Sequence, residues 1–71
     1  MTYKSLGFLI RSFRLKRKAS LRQFATLLGI HYSTLQRIET GQKSPSQTVM
    51  KRLLIISGAQ TYQELVHMAL H

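Results

Sequence analysis

The apolar residues fall into five short groups with helical spacing, separated by serine, glycine and proline. In the first group Leu6, Ile10 and Phe13 recur at intervals of three and four, which predicts an amphipathic helix over about 6–18. Arg11, Arg14, Lys16, Arg17 and Lys18 surround this stripe, and the last of them crowd a C-terminal turn where the helix dipole favours cations. Phe8 and Leu9 lie outside the stripe and are expected to be surplus to it. In the second group Phe24, Leu27 and Leu28, with Ala25, form the inner face of a helix over 20–28. Ser20 and Gln23 in "SLRQ" match a capping box, and Gly29 is the expected left-handed stop.

The third helix is expected over 31–40, with Leu35 and Ile38 turned inward and Gly41 closing it. The loop "GQKSPS" follows. The fourth helix, 46–57, is capped by Ser46, or by Ser44 with Pro45 at the first helical position. Val49, Leu53 and Ile56 form its stripe and Met50 and Leu54 widen it, whereas Ile55 falls on the polar side with Thr48 and Lys51. The fifth, 61–70, opens on the capping box "TYQE", which gives Glu64 a structural task. Tyr62, Leu65, Val66, Ala69 and Leu70 supply its apolar face; Met68 and Leu70 cannot both share the direction of Leu65. No segment shows the period-two alternation of a strand, and there is no repeat or linker. The pattern therefore predicts one compact all-α domain over 1–71.

Composition narrows what such a domain can be. A chain of 71 residues buries a modest fraction of its surface and contains no cysteine, so neither a disulfide nor a thiolate metal site stabilises it. A tight bundle or a dimer must do so. Charge is more informative: eleven Lys and Arg face two acids, Glu39 and Glu64, for a net charge of +9. Such a surface attracts polyanions, either nucleic acid or an anionic membrane. The longest purely apolar run, Leu53 to Ile56, is far too short to span a bilayer. "SLGFLI", flanked by Lys4 and Arg11, has no cleavage signal, so a secretory peptide is not expected and the location is read as cytoplasmic.

The candidate chemistry lies in "GIHYSTLQRIETG", where a helix start carries a row of hydrogen-bonding side chains instead of solubilising charges. No nucleophile sits beside an oriented base, so an enzyme is not expected. His67 and His71 have metal-ligand spacing, but no cysteine or aspartate accompanies them, and neither metal nor cofactor is expected.

The pattern S-x-x-Q-F-A-x-x-x-G-I-x-x-x-x-L-x-x-I-E-x-G, from Ser20 to Gly41, resembles the Cro/repressor-type helix-turn-helix family of phage and bacterial regulators. The resemblance extends over Leu6 to Ser57 and implies a lambda repressor-like DNA-binding fold. It implies that the second helix of the motif enters the major groove while the first crosses the backbone. By position the base-reading sites fall on His31, Tyr32, Ser33 and Arg37. Arg37 suits a bidentate contact to guanine. Tyr32 suits a thymine methyl or a phosphate, and His31 and Ser33 can donate or accept. Phosphate contacts are expected from Ser20, Arg22, Thr34, Gln36 and Lys43.

The resemblance further implies an ion pair between Glu39 and Arg14. One departure stands out: many relatives carry glutamine at the first position of the motif's first helix, where this chain has Leu21. The implied partner is double-stranded DNA, and the implied role is that of a repressor on a near-palindromic operator. A homodimer through the C-terminal helices is expected, using the surplus apolar residues. Two other readings stay open. One is a DNA-binding antitoxin that holds a toxin at Leu21, Phe8 or the last helix; the other is a protein-interaction module that kept the fold and lost DNA reading.

Overall fold

Serine caps, glycines and one left-handed lysine set the helix ends in the computed structural model, which describes residues 3–70. The helices are α1 (Tyr3–Lys16), α2 (Leu21–Leu28), α3 (Tyr32–Glu39), α4 (Gln47–Ser57) and α5 (Tyr62–Leu70). Among the described residues there is no strand. The sequence pattern places α1 over 6–18, but the helix is shifted toward the N-terminus. It ends at Lys16 because Lys18 takes φ 58° and turns the chain away.

Local chemistry accounts for the other ends. Ser20 Oγ accepts from the Gln23 amide at 3.0 Å, and the Gln23 side chain accepts from the Ser20 amide at 3.0 Å, so both partners of the box are engaged. Ser46, not Ser44, caps α4 by accepting from the Val49 amide at 3.2 Å, and Pro45 stands before the cap. Thr61 Oγ1 accepts from the Glu64 amide at 3.1 Å. The Glu64 carboxylate reaches past Thr61 to the Gln60 amide at 2.9 Å, one residue earlier than a standard box.

Helix α1 packs on α3 and α5, α2 on α3 and α4, and α4 on α5. Phe24, Ile10, Leu28, Leu35, Ile38, Leu53 and Leu65 are fully enclosed where these elements meet. Each such side chain contributes roughly 1.5–3 kcal/mol by leaving water. Leu9 corrects the sequence reading: it belongs to the core, because α1 is covered by two helices and its buried face is wider than one stripe. Leu27 corrects it in the other direction. It is exposed, lying on the flank of α2 that faces neither α3 nor α4.

Gly7 sets the approach of α1 to α3. It is buried, and a Cβ there would overlap the Ile38 carbonyl oxygen, so the two backbones meet with no side chain between them.

Candidate nucleic-acid interface

The two helices of the motif are joined by a turn that Gly29 makes possible. Its φ of 72° lies in the left-handed region, and the following Ile30 amide returns to the Ala25 carbonyl at 3.0 Å. Arg52 of α4 braces the turn by donating to the Leu28 carbonyl at 3.0 Å. A Cβ on Gly29 would collide with that guanidinium. The sequence reading missed Arg52, since nothing local ties it to a turn more than twenty residues away.

His31 is the N-cap of α3. Its Nδ1 accepts from the Ser33 amide at 3.2 Å and lies 2.7 Å from Ser33 Oγ. The imidazole stacks on Tyr32 with centroids 4.6 Å apart, and the Arg22 guanidinium of α2 lies 4.1 Å from the centre of the Tyr32 ring. His31, Tyr32 and Arg22 thus form one stacked group across the motif, a cation–π contact joining the two helices. Tyr32 and Thr34 are half-buried, whereas His31, Ser33, Gln36 and Arg37 are exposed. Arg37 stands in the last turn of α3, beside a shallow groove of about 330 Å³ lined by Ser33, Gln36, Arg37, Thr40 and Gln42. The groove gathers Ser33, Gln36 and Arg37; Thr40 and Gln42 were not singled out from the sequence. Ser20 and Arg22 are exposed at the start of α2, and Lys43 is exposed in the loop after α3, its amide bonded to the Arg37 carbonyl at 3.2 Å.

Behind this surface, Arg14 and Glu39 tie α1 to the end of α3. Arg14 Nε and Nη2 donate to the two carboxylate oxygens at 2.8 and 3.0 Å, and Nη1 donates to the Ala19 carbonyl at 3.0 Å. Leu21 is half-buried and packs on the core edge. It lines a second cleft, of about 510 Å³, with Arg11, Arg14, Gln36, Glu39 and Thr40.

The electrostatics follow from the shortage of acids. Lys16 donates to the Met68 carbonyl at 3.1 Å and Arg17 to the Ile56 carbonyl at 3.3 Å, so α5 and α4 receive cations near their C-terminal ends. A carbonyl satisfies a donor without cancelling its charge. These contacts therefore hold the helices together and leave the positive field intact.

No described helix is long and apolar enough to cross a membrane. Among the described residues no three potential metal ligands gather, and His71 lies outside the described residues.

The family model described as "Helix-turn-helix domain" matches residues 5–67. The chain belongs to the helix-turn-helix domain family. The match takes in all of α2, α3 and α4 together with most of α1 and α5, so the supporting helices of this helix-turn-helix protein are part of the family likeness. Comparison with curated proteins and with solved structures gave no match. Membership supports DNA as the partner of the helix-turn-helix.

Proposed function

We propose that the chain is a sequence-specific regulator of transcription of the Cro/repressor type. It occupies a near-palindromic stretch of double-stranded DNA with α3 in the major groove, and acts by blocking polymerase. The observation that carries the reading is the exposed face of α3: His31 and Ser33 at its start and Arg37 one turn later, with nothing covering them. In this reading His31, Tyr32, Ser33 and Arg37 meet base edges, and Ser20, Arg22, Thr34, Gln36 and Lys43 meet phosphates.

The chain measures 26 × 24 × 20 Å. Successive turns of the same groove lie about 34 Å apart, so one copy reaches one half-site and a palindrome calls for two. Ile55, 78% exposed, and Met68, 40% exposed, are apolar surface for such a pairing in the C-terminal half. A cytoplasmic regulator needs no cofactor for this task.

A second reading is favoured by one observation. Phe8, 61% exposed, and Leu15 stand two helical turns apart on α1 with Arg11 between them, which suits a protein partner such as the toxin of an antitoxin pair.

The test is fluorescence anisotropy, across a salt series, on a duplex that the wild type selects from a randomised pool and on a scrambled control. The wild type is expected to prefer the selected duplex by about a thousandfold. Arg37→Ala should lose about 1–3 kcal/mol on that duplex and relax the preference at one position. Lys43→Ala should weaken both duplexes alike and make the salt slope shallower by about 0.9. Equal binding of every duplex by the wild type, with only a salt slope, would overturn the reading.

A further inference from the structure

In the proposed reading His31 has two tasks: it faces the DNA and it caps α3. Serine, threonine, aspartate and asparagine are the usual residues for the second task. Histidine performs it through Nδ1, and the chemistry of that atom is constrained. A backbone amide can only donate, so the Nδ1 that receives the Ser33 N–H at 3.2 Å must offer a lone pair. In a neutral imidazole the proton then resides on Nε2. Ser33 Oγ, 2.7 Å from the same Nδ1, is a hydroxyl that can rotate its hydrogen toward that lone pair, so the contact is compatible with the assignment that the amide makes. The stack on Tyr32, itself engaged by Arg22, restrains the ring plane. One end of the imidazole is therefore engaged with the Ser33 amide, on a residue that is itself exposed.

We infer that the cap selects the Nε2–H tautomer of His31 and so makes this residue an obligate hydrogen-bond donor to the DNA, reading the N7 acceptor of a purine. The inference rests on the proposed reading of α3 as the recognition helix and adds a polarity to it. Of the major-groove groups, purine N7, guanine O6 and thymine O4 accept, whereas the cytosine and adenine amino groups donate. A donor fixed before binding discriminates against a base pair that presents a donor at the same place, because two donors face each other with neither satisfied. It also avoids the tautomer exchange that an unconstrained histidine undergoes on docking. The protein recruits its own helix amide to set the specificity of the side chain beside it.

The experiment has two parts on the full chain. Long-range proton–nitrogen NMR of the free protein at about pH 8 should show His31 with a protonated Nε2 and a bare Nδ1. A bare Nε2 would overturn the inference. In the second part, each purine of the selected duplex is replaced in turn by its 7-deaza analogue, which puts C–H in place of N7. At one purine the wild type should lose about tenfold in affinity. His31→Asp, whose carboxylate preserves the cap but carries no donor, should keep a thermal midpoint no lower than that of the wild type and lose nothing further at that purine.

If no purine shows this pattern, or the coupling appears instead on replacing a phosphate by a methylphosphonate, the assignment of His31 as a donor to a purine N7 is wrong. These results differ from the failure of the proposed function itself, in which the wild type would select no sequence from the pool.

Discussion

Arg14 and Glu39, 25 positions apart, meet as a parallel two-bond fork with side chains only 11% and 4% exposed. The pair joins the first helix to the end of the third. It is one of the few places where this cationic chain cancels a charge internally. Truncating either partner leaves the other charge nearly dry and unpaired. Arg14→Ala and Glu39→Ala are each expected to destabilise the fold by about 3 kcal/mol, and the double variant by less than the sum of the two. Arg14→Lys should recover little, since an ammonium cannot serve both carboxylate oxygens and the Ala19 carbonyl in one plane. Urea denaturation of the four variants measures all of this.

Gly7 should reverse the ordinary rule for helix interiors. Alanine in place of glycine normally stabilises an exposed helix by up to about 1 kcal/mol. Here the added methyl meets the Ile38 carbonyl oxygen, a backbone atom that cannot swing aside. Gly7→Ala is expected to destabilise by about 1–3 kcal/mol, the cost of overpacking a closed contact. A urea midpoint higher than that of the wild type would show that α1 and α3 do not meet at this point.

The turn of the motif predicts a coupling. Gly29→Ala carries a backbone cost of about 1–2 kcal/mol from the left-handed φ, plus a collision with the Arg52 guanidinium. In an Arg52→Ala background the collision is gone, so Gly29→Ala should cost less there than in the wild type. Arg52→Ala alone should cost about 1 kcal/mol by removing a donor from the Leu28 carbonyl. A double-mutant cycle by thermal or urea unfolding reads the difference.

Tyr62 supplies a pH dependence at the alkaline end. Burial pushes its phenol up from the usual value of 10.0, because a phenolate is poorly solvated there. Above pH 10 the unfolded chain releases the proton while the folded chain keeps it, so the unfolded state binds fewer protons and stability falls as pH rises. The contribution is complete below the unfolded value and is lost as pH passes through the folded one. Tyr62→Phe removes the effect. The difference in stability between wild type and variant should therefore change only above about pH 10, the ordinary tyrosine value.

Much of the local architecture was legible because it depends on neighbours in the chain. Ser20 with Gln23, and Gly29 after Leu28, announce caps by chemistry that acts within one turn. Leu35 and Ile38 announce a buried face by spacing alone. Leu9 and Leu27 show the boundary of that method. Each is a leucine on the edge of its stripe, and which one is covered depends on how many helices flank the element, a fact no periodicity contains. His31 shows another limit. Its residue type and position suggest a side chain free for DNA, whereas its Nδ1 is already committed to the Ser33 amide.

The sequence by itself determined the five helices, the class of the fold, the excess of positive charge and the polar start of the third helix. All of these follow from residue type and from separations of a few positions, where backbone geometry dictates which side chains can meet. Only the tertiary structure decided that Gly7 lies against the Ile38 carbonyl and that Arg52 braces the Gly29 turn. It alone decided that Arg22, Tyr32 and His31 stack into one group, and that lysine and arginine side chains end on backbone carbonyls of distant helices. Apart from the stack of the adjacent His31 and Tyr32, these contacts join residues on different helices or at their ends. Their formation depends on helix packing angles, which arise when the whole core closes and are not a property of any one segment.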